Sequence, residues 1–197
     1  IYRNTDNWKS EIKKSAKLKG VDVLHAAKIH TGRILAKKIG SSPYGDRLIL
    51  KGGFIVSTLL GMDTRTTRDL DVILQTTIYD ISEINIDEKV LKTPSDIFQY
   101  ELADIKQAQK DDENAGFIVS INARKDNISL NLKIDVSNNT LIYPDAIRTT
   151  LPSMFNEEDI KLLSYPLENI IAEKYETTLD RGEFNSRMRD LYDIYFL

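Results

Sequence analysis

The sequence has no cysteine, and only 9 glycines and 5 prolines among its 197 residues. The lack of cysteine excludes disulfides, thiol nucleophiles and cysteine-based zinc sites. With 41% hydrophobic and 29% charged residues, the composition excludes collagen-like and disordered chains. No run approaches the roughly 20 apolar residues of a membrane-spanning helix, and residues 1–19 contain no apolar signal core. We therefore expect a globular protein of the cytoplasm with no membrane partner.

Charge is distributed unevenly along the chain. Residues 1–51 hold 12 lysines and arginines against 4 acidic residues, whereas the remainder holds 15 against 26. A basic first quarter on an acidic body is typical of a protein with a polyanionic partner such as RNA. A solvated, lysine-rich helix face gives the same balance, so charge alone leaves both interpretations open.

Hydrophobic periodicity predicts an α/β protein in which helices flank a mixed sheet that antiparallel strands extend. The predicted helices cover residues 7–17, 22–35, 54–60, 78–95 and 166–179, with a last one from 187 onward, which Ser186 caps. The predicted strands cover residues 48–50, 69–74, 98–108, 116–124, 128–136 and 160–163, the last as an edge strand. We expect residues 1–165 to form one domain with basic N-terminal helices. Residues 166–197 would then begin a C-terminal helical region of a longer protein.

Gly52 and Gly53 lie between a predicted strand and a predicted helix. A turn of this kind leaves the helix N-terminal amides uncovered, so a phosphate can approach the backbone and the positive end of the helix dipole. Glycine also serves simply to tighten such turns, so the pair alone does not indicate a phosphate site.

Three aspartates are the candidate metal ligands. Asp69 and Asp71 alternate with apolar residues along one predicted strand, which places both carboxylates on the same face. Adjacent like charges repel unless a cation neutralises them, and hard oxygen ligands of this type suit Mg²⁺. Asp135 lies on the polar face of a later strand and is the third candidate. A half-solvated strand with no ligand is the alternative.

Lys174 and the last helix carry the remaining candidates. Lys174 follows Ile170 and Ile171 by one helical turn, beside an apolar face, where a lysine either serves a site or extends its ammonium group to solvent. Asp190 and Asp193 share a helix face; Asp193 is the better candidate to support Lys174, since a surface salt bridge with Arg187 explains Asp190. His25 and His30 lie five residues apart and make no i, i+4 metal pair.

The motifs are more specific together than singly. They are Leu-Lys-Gly-Gly-Phe at 50–54 with Leu-Leu-Gly at 59–61, Arg-Thr-Thr-Arg-Asp-Leu-Asp-Val at 65–72, Ala-Glu-Lys at 172–174 and Asn-Ser-Arg-Met-Arg-Asp-Leu-Tyr-Asp at 185–193. This set resembles the AbiEii/AbiGii nucleotidyltransferase toxin family of the polymerase-β-like superfamily. The resemblance implies a nucleotidyltransferase fold and the transfer of a nucleoside monophosphate from an NTP, with release of pyrophosphate. It also implies a bacterial type IV, abortive-infection toxin–antitoxin system in phage defence, with a cognate antitoxin and the tRNA 3′ end as acceptor.

The resemblance also assigns roles to residues. Two Mg²⁺ ions would be held by Asp69, Asp71 and Asp135, and the catalytic set would add Lys174 and Asp193. The nucleotide would contact Lys51, Gly52, Gly53, Ser57, Arg65, Arg68 and Lys174. Three alternatives stay open: the same chemistry on a small molecule or a protein hydroxyl, a non-catalytic module that binds nucleotide or antitoxin, and an unrelated structural α/β domain.

Overall fold

The computed structural model describes residues 4–60, 70–75, 90–92, 97–107, 116–138, 141–153, 155, 157–182 and 188–197. Its helices are α1 Thr5–Lys19, α2 Val23–Gly40, α3 Gly52–Leu60, α4 Leu167–Arg181 and α5 Met188–Phe196. Its strands are β1 Leu48–Lys51, β2 Leu70–Leu74, β3 Gln99–Gln107, β4 Phe117–Lys125, β5 Ile128–Asn138, β6 Ile147–Leu151 and β7 Ile160–Ser164.

The described strands form one seven-stranded mixed sheet in the order β3-β4-β5-β2-β1-β7-β6. β2 is antiparallel to β1 and parallel to β5, whereas β3, β4 and β5 form the predicted antiparallel extension. β7 is parallel to β1, and β6 is antiparallel to β7. The predicted α/β architecture is therefore confirmed.

The predicted position of residues 160–163 in the sheet is wrong. The sequence predicts residues 160–163 at the edge of the sheet, but β7 lies inside it, between β1 and β6. The described edge on this side is β6, which the sequence pattern does not predict. Its sequence, Ile-Arg-Thr-Thr-Leu, is mostly polar and exposes Ile147, and only Leu151 is fully buried. An edge strand of this kind lacks the apolar alternation on which the prediction depends.

Local signals set the helix ends, and α1 and α2 extend beyond the predicted residues 7–17 and 22–35. The side chain of Asn4 accepts a hydrogen bond from the Asn7 amide, and that of Asp22 accepts one from the His25 amide. Gly20 ends α1 in the left-handed conformation, and Gly182 follows the last turn of α4. The predicted helix over 78–95 lies outside the described residues except for 90–92, and so does the predicted start of the last helix at Ser186 and Arg187.

The sheet has one apolar and one polar face around β5. Leu130, Leu132, Ile134 and Val136 are buried on the side that packs against α2, where Leu35 and Ile39 complete the contact. Asn131 and Lys133, on the opposite face, are exposed, and Asp135 is half-buried there. Period-2 alternation thus places Asp135 on the face away from α2, as predicted.

A buried polar cluster fixes α1 and α2 to the segment before β7. The Trp8 indole donates to His30 Nδ1 at 3.1 Å, and burial lowers the pKa of His30 to about 4, so this imidazole is neutral at pH 7. Arg33 is fully buried; its Nε donates to Glu157 at 2.7 Å and its Nη2 to the Pro152 carbonyl at 2.6 Å. His30 and Arg33 therefore stabilise the interior of the protein and do not contribute to a basic surface. None of the helices in the described ranges is both long and apolar enough to cross a membrane.

Candidate active site

Three neighbouring strands bring one lysine and two aspartates into a single row. Lys51 at the end of β1 is paired with Asp71 of β2, and Asp71 is paired with Asp135 of β5. Residues directly opposite on neighbouring strands project from the same face of a sheet, and the strands are about 4.8 Å apart. The row therefore places Asp71 and Asp135 side by side on the polar face. Their carboxylates are hard oxygen donors, and as a pair they suit a divalent cation.

The glycine turn is shaped around the carboxylate of Asp71. Gly52 has a φ of 66°, in the left-handed region that favours glycine. A Cβ atom added at Gly52 would lie 2.9 Å from Cγ of Asp71 and closer still to its Oδ2. The first residue of α3 thus lies directly against the Asp71 carboxylate, and the positive end of the helix dipole stabilises a negative charge there. The sequence analysis considered a phosphate site and a tight turn for this glycine, but not its contact with Asp71.

We expect Gly52→Ala to destabilise the protein more than the backbone conformation alone explains. Gly20 is a matched control because its φ is 63° and a Cβ there would meet nothing within 4 Å. Gly20→Ala should cost about 1 kcal/mol for the left-handed backbone, whereas Gly52→Ala should cost about 1–3 kcal/mol more because Asp71 must move. Urea unfolding of the two variants measures the difference, and equal losses would show that Asp71 does not constrain the turn.

The Lys51 ammonium group is held by α4. Lys51 Nζ lies 3.3 Å from Glu173 Oε1, and the Tyr165 hydroxyl donates to the same oxygen at 2.9 Å. Lys51 Nζ also lies 5.8 Å from the centroid of the Tyr165 ring. Burial and the hydrogen bond to Glu173 raise the pKa of Tyr165, so its hydroxyl keeps its proton at pH 7. Sequence reasoning assigned no role to Glu173, although it lies within the Ala-Glu-Lys segment at 172–174.

Lys174 joins α4 to α5 through a buried charge cluster. Its Nζ lies 2.9 Å from Asp190 Oδ1 and 2.7 Å from Asp193 Oδ2, and the three side chains are 11%, 5% and 0% exposed. The structure thus brings Lys174 and Asp193 together. The expectation that Asp190 is a surface salt-bridge residue is wrong, because Asp190 is buried against Lys174. Since successive helical residues point about 100° apart, Glu173 can reach Lys51 while Lys174 reaches α5.

The other predicted site residues lie elsewhere or outside the described ranges. Ser57 is buried within α3, where its hydroxyl donates to the Phe54 carbonyl at 2.9 Å. Gly53 follows Gly52 in the first turn of α3. Arg65, Arg68 and Asp69 are not among the described residues. In the part of the chain that is described, no group of three or more acidic or histidine side chains is placed to hold a metal ion.

This arrangement of motifs has a counterpart among known families. The family model of the nucleotidyl transferase AbiEii toxin, from type IV toxin–antitoxin systems, matches residues 33–197. The chain belongs to this family. The matched range contains every predicted site residue of this AbiEii-family chain, from Lys51 to Asp193. The match confirms the resemblance that was drawn from the motifs.

Solved structures agree on the fold of this AbiEii-family chain. JHP933 from Helicobacter pylori is 20% identical and superposes with a TM-score of 0.52 over 87% of this chain and 64% of its own. An antigenic nucleotidyltransferase-like protein from Paracoccidioides brasiliensis is 21% identical, with a TM-score of 0.55 over 86% of this chain and 74% of its own. The chain therefore spans less than two thirds of the length of JHP933, and at these identities the similarity shows the fold alone. A comparison with curated proteins found no match.

Proposed function

We propose that this chain transfers a nucleoside monophosphate from an NTP to the 3′ end of tRNA and releases pyrophosphate. The observation that carries the proposal is the register of Asp71 with Asp135 beside the glycine turn at Gly52. Two carboxylates on adjacent strands, next to a glycine turn at a helix N-terminus, provide for both a cation and a polyphosphate.

Asp71 and Asp135, with Asp69, are the residues that would hold the divalent cations, two Mg²⁺ ions in this proposal. When bound, such ions neutralise the triphosphate charge and stabilise the attacking and leaving oxygens of an in-line displacement. The rest of the site acts through the chain's own groups.

The backbone at Gly52 and Gly53 lets the β- and γ-phosphates approach the amides of α3, and the Lys51 ammonium group, oriented by Glu173, adds positive charge beside them. The acceptor hydroxyl oxygen attacks the α-phosphorus, the bond from that phosphorus to the pyrophosphate oxygen breaks, and Asp135 accepts the hydroxyl proton. Arg65, Arg68 and Lys174 contribute further charge toward the phosphates, and Asp193 holds Lys174 in place.

The same proposal covers the wider context. Residues 1–165 form the nucleotidyltransferase domain, and residues 166–197, which supply Lys174 and Asp193, begin a helical region. The protein acts in the cytoplasm as the toxin of a type IV pair, and its partner is a cognate antitoxin. The family description supports the toxin role and the antitoxin.

Incubation with Mg²⁺, total tRNA and each α-³²P-labelled NTP in turn tests the proposal. We expect a labelled tRNA band with at least one nucleotide on a denaturing gel, and we expect EDTA to remove it because Asp71 and Asp135 then lack their cations. Release of pyrophosphate without label on RNA would move the acceptor to a small molecule or a protein hydroxyl. If no NTP gives either labelled RNA or pyrophosphate, the proposed transfer activity is contradicted. The alternative of a module that binds nucleotide or antitoxin then stands.

A further inference from the structure

The basic residues of the first quarter differ in their surroundings. Several have acidic partners within the protein: Arg33 is buried on Glu157, Lys37 lies 2.8 Å from Glu158, and Lys51 lies on Glu173. The lysines toward the end of α1 are clustered instead. We call Lys13, Lys14, Lys17 and Lys19 the α1 lysine patch. Within the described residues no ion pair involves any of the four.

The patch follows from the way α1 packs. Trp8, Ile12 and Ala16 recur every four residues and bury one face of the helix against the core. Lys13 and Lys17 lie one turn apart on the exposed side, and Lys14 is exposed beside them. Three ammonium groups within five residues, none neutralised by a carboxylate in the described structure, make a concentrated positive surface.

The sheet separates the patch from the aspartate row. α1 packs on α2, where the Trp8 indole donates to His30, and α2 lies on the apolar side of β5, whereas Asp71 and Asp135 lie on the opposite face. The N-terminal end of α1 is anchored, because Thr5 Oγ1 is hydrogen-bonded to Asp126 in the turn between β4 and β5 and Lys9 Nζ lies 2.9 Å from Asn127 Oδ1 in the same turn. An NTP at the aspartate row cannot reach across the sheet to α1, whereas a polynucleotide is long enough to do so.

We propose, on the basis of the proposed function, that the α1 lysine patch binds the sugar–phosphate backbone of the acceptor RNA while its 3′ end lies at Asp71 and Asp135. Ammonium groups are sufficient for this task, because phosphate contacts position a nucleic acid without reading its sequence. The patch contributes affinity only to acceptors long enough to extend from the row to α1. It sets the preference for a folded RNA over a short oligonucleotide.

The test compares two double variants with the same loss of charge. Lys13→Gln/Lys17→Gln removes two patch lysines from exposed helix positions, where glutamine keeps a good helix propensity. Arg148→Gln/Lys161→Gln is the control, because both side chains are exposed and lie on β6 and β7, at the far side of the sheet. Binding of fluorescently labelled tRNA is measured by fluorescence anisotropy between roughly 50 and 300 mM KCl, a range in which the loss of phosphate contacts changes the affinity measurably. Transfer is measured with tRNA and with a short oligonucleotide of the same 3′ sequence.

We expect the patch variant to bind tRNA about tenfold more weakly at about 0.15 M salt and to lower the slope of log K against log salt by about 1–2. Its KM for NTP and its rate on the short oligonucleotide should stay at wild-type values, and the control variant should behave as wild type throughout. Wild-type tRNA affinity and salt slope in the patch variant would overturn the proposal. They would do so even if the wild-type patch were found to bind an acidic protein instead. If wild-type protein binds tRNA through the patch but transfers no nucleotide, the proposed function fails and the patch assignment stands.

Discussion

Asp71→Asn is expected to lose at least about a thousandfold in nucleotidyl transfer, equivalent to about 4 kcal/mol of transition-state stabilisation. Asparagine keeps the size of the side chain that lies against Gly52, so the turn and α3 should be preserved. It removes the negative charge that a divalent cation requires. The free energy of unfolding should change little, because the relief of repulsion with Asp135 offsets the lost interaction of the Asp71 charge with the N-terminus of α3.

Two further variants make this result specific. Asp135→Asn should show a similar loss of transfer, since Asp135 is the register partner of Asp71. Asp46→Asn should retain full activity, because Asp46 is exposed, pairs with Arg148 and lies before β1 at the opposite end from Lys51. Transfer by radiolabelled NTP and unfolding by urea are measured on all three. Wild-type rates in a folded Asp71→Asn protein would disprove the metal assignment.

Much of this site follows from local pattern, but the register does not. Strict alternation in residues 128–136 predicts the face of Asp135, and the strand, glycine turn and helix around Gly52 follow from the same kind of signal. The pairing of Asp71 with Asp135 joins strands far apart in the chain, and local pattern does not fix the register of such a pair. The contact between Gly52 and the Asp71 carboxylate depends in the same way on the pairing of Lys51 with Asp71, so it was not predicted either.

The last helix shows why burial is harder to predict. Asp190 and Asp193 are buried in α5, whereas Met188, Tyr195 and Phe196 are 67%, 81% and 52% exposed. Apolar periodicity places the apolar face of a helix inside and the charged face outside, which is the reverse of what the structure has here. The ammonium group of Lys174 explains the reversal, because it neutralises carboxylates that could not otherwise be buried.

Lys174→Met is therefore expected to destabilise the protein by about 3–5 kcal/mol, since it leaves Asp190 and Asp193 buried without their shared cation. Methionine fills a similar volume, so the loss measures charge rather than packing. Urea unfolding of Lys174→Met, of Asp190→Asn/Asp193→Asn and of the triple variant completes the cycle. The triple variant should recover much of the lost stability because no buried charge remains. Equal stability of Lys174→Met and wild type would instead mean that the ammonium group extends to solvent.

Activity of the triple variant separates the two roles of Lys174. If the cluster only fixes α5 against α4, restoring stability restores transfer, and the KM for NTP returns toward wild type. If Lys174 also provides charge to the triphosphate, the triple variant is stable but its KM for NTP stays raised by about tenfold or more, the cost of one charge-assisted contact. We expect the second outcome, because the proposed function assigns Lys174 to the phosphates and because α4, which carries it, contacts the aspartate row through Glu173 and Lys51. The cluster then links the stability of the last helix to the binding of the nucleotide.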